Sequence, residues 1–200
     1  LIRADVFGYV NPGDPREAVR LAVIDARLSH VGNGIAAEAW AAALVSIALV
    51  VDSIDEAFDA AREFVPNGSR LGHALSDIRE LHRRGEDATT ALDWIDAELG
   101  HYPWVHAVVS AAIISLGLLW GRDFTDAVAL TVSAGRDTDS NAATVGSVFG
   151  ALHGVEGVPE RLVGSTHRRL RSSIRDFDRI TIDELATRTM ALTQGGRVSE

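Results

Sequence analysis

Asp14-Pro15-Arg16-Glu17 places a side-chain cap, a first-position proline and a third-position glutamate in the order that opens an α-helix, here running towards His30. The same punctuation recurs on either side of this stretch. Ser53 to Glu56 and Thr181 to Glu184 are capping boxes. Ser69 opens a segment with Leu71, Leu75, Ile78 and Leu81 on one face, ending near Gly85. Asp87 to Leu99 and Asp123 to Thr131 read as helices, with Gly100 and Gly121 as breakers. Asn33 can cap the alanine-rich helix that follows it, and Pro159 starts a helix expected to run into the basic stretch His167 to Arg175. The apolar run Val128 to Val132 fits strand or helix equally. No alternating segment is bounded by hairpin turns, so the expectation is an all-α fold of about ten helices.

The 200 residues suit one domain or most of one. There is no cysteine, which excludes disulfides, thiolate zinc sites and cysteine nucleophiles. All 19 basic residues are arginine, which excludes Schiff-base chemistry and a P-loop lysine. A net charge of −9 argues against a broad nucleic-acid surface, whose affinity comes from neutralising phosphates. Two long apolar runs, Ile35 to Val51 with Glu38 and Trp104 to Trp120 with His106, fall short of a membrane span and read as buried central helices. No signal peptide is visible, and a cytoplasmic location is expected. The chain starts at Leu1 in the middle of an apolar pattern, so it is expected to begin inside a larger protein.

The chemistry is concentrated in Ser133-Ala134-Gly135-Arg136-Asp137-Thr138-Asp139-Ser140-Asn141, which precedes an apolar helix. In a tight turn, Asp137, Asp139 and Ser140 can aim three hard oxygens at one point, a set suited to Mg2+, Mn2+ or Ca2+. Two carboxylates this close repel unless a cation or a helix N-terminus compensates them. The plainer alternative is that Asp139 or Ser140 caps the helix while Asp137 is solvated. An EF-hand loop would need Gly and Glu where Ala142 and Val148 stand. An aspartyl phosphatase would want a preceding parallel sheet and, in its usual form, a lysine. Downstream, Gly146 and Gly150 share a helical face and suggest the close approach of another helix.

Gly135 to Ala143, continuing through Val145-Gly146-Ser147 to Gly150-Ala151, resembles the C-terminal metal motif of the ADP-ribosylglycohydrolase family, which includes dinitrogenase reductase-activating glycohydrolases and crystallin J1-like proteins. The resemblance extends through Ile2-Arg3-Ala4-Asp5, Phe7-Gly8-Tyr9, Pro12 to Pro15, Asp25-Ala26, Ser29-His30 and Asn33-Gly34, in a bacterial-looking branch. It implies an all-helical fold with a binuclear Mg2+ or Mn2+ centre in which Asp137, Asp139 and Ser140 are ligands. The family's remaining ligands and general base come from an N-terminal Thr/Ser-Asp-Asp element that these residues do not contain. Residues 1–200 therefore read as the C-terminal portion of one such domain. Arg136 and Ala134 depart from the family pattern, which has a small or aromatic residue and a glycine there.

By the same resemblance the turn Ser29 to Gly34 faces the ADP-ribose pocket and shares a cleft with Asp137, making His30, Asn33, Gly34 and Gly135 substrate-contact candidates. Asn33 either offers its amide to ribose or phosphate or only caps a helix. His106 reads as a satisfied core histidine. Arg168, Arg169, Arg171 and Arg175 read as a solvated helix face rather than a pyrophosphate clamp. The implied activity is hydrolysis of the bond joining ADP-ribose to a protein residue or related acceptor. The implied partner is thus an ADP-ribosylated protein or an ADP-ribose-like small molecule. The alternatives are a non-catalytic ADP-ribose-binding or crystallin J1-like relative, and a hydrolase of another nucleoside-like glycoside.

Overall fold

The computed structural model describes residues 1–163 and 169–195. Its helices are α1 (Asp5–Tyr9), α2 (Pro15–Ala26), α3 (Asn33–Ala48), α4 (Ile54–Arg62), α5 (Arg70–Arg83) and α6 (Ala88–Leu99). They continue with α7 (Ala107–Trp120), α8 (Phe124–Ser133), α9 (Thr138–His153), α10 (Glu160–Val163) and α11 (Ile182–Gly195). Among the described residues, the strand-like pairing is confined to one antiparallel bridge between Arg169 and Thr181. The chain is all-α, and Val128 to Val132 lies inside α8.

Two helices organise the rest. Every residue from Ala37 to Ala48 in α3 and from Val108 to Leu119 in α7 is buried, so neither helix has a solvated face. Helices apolar all round must be enclosed, and each is. α1, α2 and α4 pack on α3, while α5, α6 and α8 pack on α7. α9 touches α3, α7 and α8, which carries its N-terminal end to the junction of the two central helices. No helix of the described residues is long and apolar enough to cross a membrane.

Local chemistry sets where the helices start. The side chains of Asp14, Ser53, Ser69, Asp87 and Asp123 accept from the amides of Glu17, Glu56, Gly72, Thr90 and Asp126 at 2.7–3.2 Å. Each satisfies an amide that the helix leaves unpaired. Asn33 does not do so: Gly32, at φ 51°, holds the cap position of α3, and Asn33 is its first residue. The helix after Pro159 is described over Glu160–Val163, and Arg169 to Arg175 is not helical, so the expected basic helix face is not formed there. His167 and Arg168 lie outside the described residues.

The close helix approach is also not where the glycine pair in α9 suggested. A Cβ on Gly150 would meet nothing within 4 Å, and one on Gly146 would make ordinary contact with Phe124 at 3.6 Å. Tight contacts lie elsewhere, among them Gly8, where a Cβ would fall 2.6 Å from Val45 Cβ and 2.9 Å from the Ala42 carbonyl oxygen. Hence α1 lies directly on the backbone of α3. Gly8→Ala is expected to overpack this contact and destabilise the protein by about 1–3 kcal/mol, read as a lower thermal midpoint in calorimetry. Gly150→Ala is expected to leave the midpoint unchanged or raise it.

Candidate functional site

The Asp137 segment is aimed by two consecutive left-handed residues, Gly135 at φ 71° and Arg136 at φ 63°. Glycine takes this conformation freely, whereas for arginine it costs about 1–2 kcal/mol. The Arg136 guanidinium donates to Asp96 Oδ1 at 2.8 Å, tying the turn to α6. Asp96 is largely exposed, so this pair alone is worth at most about 1 kcal/mol. The rest of the offset comes from the arginine side chain itself, which is only 18% exposed.

The helix begins at Thr138, earlier than the motif implied, with Asp137 at the cap position. Asp137 makes no capping bond, so its carboxylate is not spent on the helix end. Starting the helix here separates the two aspartates. Residues two apart on a helix point about 200° from each other, while residues three apart share a face. Accordingly Asp137 and Ser140 line a cleft of about 650 Å3, and Asp139 is exposed and outside that lining. The tight-turn convergence of three oxygens is therefore not the observed arrangement.

The same cleft is lined by His30, Gly34, Glu38, His106 and Asn141, so the turn before α3 and the start of α9 do meet. His30 is held by a short relay. Arg3 donates to Asp25 Oδ2 at 2.7 Å and to Ser29 Oγ at 3.0 Å, and Ser29 Oγ lies 2.8 Å from His30 Nδ1. With Ser29 accepting from Arg3, its hydroxyl proton is free to go to Nδ1, the tautomer that leaves Nε2–H as a donor. Gly34 makes room for this ring, since a Cβ there would approach His30 Cδ2 to 2.9 Å.

Two other substrate-contact candidates lie elsewhere. Asn33 Oδ1 accepts from the Leu71 amide at 3.2 Å, pinning the start of α5, and Asn33 is not in the cleft lining. Gly135 shapes the turn without lining the cleft. His106 is neither inside α7 nor a core residue. It caps α7 by accepting from the Val108 amide at 3.3 Å, stacks on Tyr102 with 4.2 Å between ring centroids, and faces the cleft. Burial, reinforced by Arg70 and His101, lowers its basicity.

Glu38 and Arg3 had not been singled out for the site. Glu38 is 1% exposed in an otherwise apolar helix, and that isolation was its one sequence signal. Burial pushes its pKa from the ordinary 4.5 to about 7, helped by the neighbouring Asp25, while Arg3, 3.9 Å away, pulls the other way. The neighbouring Glu38 carboxyl, then Arg3, holds Asp25 below the usual carboxylate range. Glu38, in the cleft lining, thus keeps its proton up to about neutral pH, while Asp25, outside the lining, is ionised and held by the Arg3 guanidinium.

Asp137 and Ser140 present hard oxygens to the cleft, the donor type that Mg2+ and Mn2+ take, and no arginine or histidine of the described residues forms an ion pair with Asp137 or Asp139. Among the described residues, however, no group of three or more His, Asp or Glu side chains is arranged to hold a metal. The donor set therefore fits part of a centre. A family model for ADP-ribosylglycohydrolases matches residues 1–197. The chain belongs to the ADP-ribosylglycohydrolase family. Searches among curated proteins and among solved structures returned no match. Family membership places the chain among glycohydrolases, and its all-α fold agrees with that placement.

The Glu38 pair has a consequence for stability. A carboxyl whose folded pKa is raised contributes fully below its unfolded pKa, and that contribution is lost as pH rises through the folded value. Between about pH 4.5 and 7 the thermal midpoint of the wild type is expected to fall relative to that of Glu38→Gln, which has no proton to lose. Calorimetry of both proteins across this range checks the difference; parallel curves would contradict it.

Proposed function

We propose that this chain forms the C-terminal part of a divalent-metal-dependent hydrolase that cleaves the glycosidic bond between ADP-ribose and a modified protein residue or related acceptor. One observation carries the reading: the family's metal motif, through Asp137 and Ser140, and the His30–Gly34 turn from the other half of the sequence line a single cleft. Asp137 and Ser140, which face the cleft, would hold Mg2+ or Mn2+, and Asp139, turned out of the cleft, would not reach the same ion in this arrangement. A bound cation of this kind supplies polarisation of ribose hydroxyls and positioning of a water.

The chain's own residues prepare the remainder. His30, with Nδ1 engaged by Ser29, offers Nε2–H to a sugar or phosphate oxygen. Arg3, itself in the cleft lining, keeps Ser29 and Asp25 in place and so fixes the ring. The low-basicity His106 stays neutral near pH 7 and lends the cleft a flat aromatic wall.

A second reading, a non-catalytic ADP-ribose-binding relative, is favoured by the exposure of Asp139 and by the lack of a three-residue metal cluster among the described residues. Hydrolysis assays on the full-length protein separate the two. With an ADP-ribosylated protein and saturating Mn2+, Asp137→Ala is expected to abolish turnover and weaken Mn2+ binding, because a hard cation loses a charged oxygen. His30→Ala is expected to raise KM about tenfold or more while leaving Mn2+ affinity unchanged, the pattern of a lost substrate contact. Wild-type protein that binds ADP-ribose but never releases it from an acceptor would establish the binding-only reading.

A further inference from the structure

Asp137 follows directly on Arg136, so a side-chain cation stands one residue from the carboxylate that faces the cleft. An arginine beside an aspartate is long enough to fold back and pair with it, because adjacent Cα atoms are only about 3.8 Å apart. That pair is not formed. Among the described residues Asp137 has neither an ion-pair partner nor a capping bond. The Arg136 guanidinium is instead turned to α6, where Nη2 donates to Asp96 Oδ1 at 2.8 Å. It rests against the last turn of that helix, since a Cβ on Gly100 would lie 3.8 Å from Nη2. The C-terminal end of a helix carries partial negative charge and favours a cation there. Neither Arg136 nor Asp96 lines the cleft.

Charge makes this placement matter. A free guanidinium beside Asp137 would compete for its oxygens with a divalent cation and would also repel that cation. On α6 the same guanidinium is compensated by Asp96, and its donor is engaged away from Asp137. The pair joins residues 40 apart in sequence, so it forms only because α6 and the turn before α9 meet.

We infer that Asp96 is a positioning residue: by holding the Arg136 guanidinium on α6, it keeps the Asp137 carboxylate free for a divalent cation. The presence of a cation at Asp137 rests on the proposed function. Asp96 touches neither the cation nor a substrate and acts only through Arg136.

The test is calorimetric Mn2+ titration of the full-length protein without ADP-ribose, on wild type, Asp96→Ala, Arg136→Gly and the double variant. In Asp96→Ala the Mn2+ Kd is expected to rise about fivefold or more. An exposed ion pair between the released guanidinium and Asp137 shifts an equilibrium by up to about that factor, and repulsion of the cation adds to it. Arg136→Gly removes the competitor and suits the left-handed backbone, so its Kd should equal or fall below that of wild type. The double variant decides, because it should bind Mn2+ within about twofold of Arg136→Gly alone, the loss from Asp96→Ala being restored. Asp96 is exposed and alanine suits a helix, so Asp96→Ala is expected to fold. Should it not, Asp96→Asn keeps the side-chain outline without the charge and is read in the same way. Asp96→Ala that binds Mn2+ as tightly as wild type overturns the inference alone. A double variant as weak as Asp96→Ala also overturns it, since that is the result if the pair only braces the turn. Arg136→Gly that loses Mn2+ overturns it too, because the guanidinium would then be needed rather than restrained. Wild-type protein that takes up no Mn2+, or Asp137→Ala that binds it unchanged, overturns the functional reading and this inference with it.

Discussion

The enclosure of α3 and α7 is the constraint on which the remaining structure depends. Each fully buried Leu, Ile or Val contributes about 1.5–3 kcal/mol, and these two helices supply much of the core. A helix without a solvated face cannot lie at the surface, so the other helices must wrap it. The many alanines of α3 make that wrapping close, and Gly8 lets α1 lie on the backbone itself. α9 reaches both central helices, which is why a surface-looking motif at its start opens onto a cleft walled by the start of α3.

The orientation of that motif is a matter of helical phase. Had Asp137 to Ser140 formed a loop, three oxygens could have met at one point. With the helix starting at Thr138, Asp137 and Ser140 face the cleft and Asp139 turns out. The left-handed pair Gly135 and Arg136 sets this phase, and Arg136 is kept in an unfavourable backbone conformation by its lodging against α6. Its departure from the family pattern thus has a structural role in this chain.

Polar groups in and around the cleft hold one another. Arg3 links Asp25, Ser29 and Glu38, so three elements that are separate in sequence share one guanidinium. Burial of Glu38 beside Asp25, against the pull of Arg3, divides the carboxyls into an ionised Asp25 and a Glu38 that gives up its proton only near neutrality. Glu38 and Asn141 each keep one buried polar atom unpaired, as do Asp5 and Trp40 among the described residues.

Much of the architecture was legible before folding. Capping residues announce helix starts through local hydrogen bonds that need no tertiary partner, so Asp14, Ser53, Ser69, Asp87 and Asp123 were readable directly. The two apolar runs likewise identified the central helices, because burial on all sides leaves no polar stripe. Family motifs linked His30, Gly34, Asp137 and Ser140 to one cleft, and they line it. What the sequence could not supply were properties of meeting surfaces. Asn33 was spent on the Leu71 amide, His106 moved from core to cap, Gly8 rather than Gly150 met a backbone, and Glu38 was joined to Arg3 and Asp25. Each of these depends on which groups lie opposite one another once helices pack, and periodicity along one helix carries no information about its neighbour.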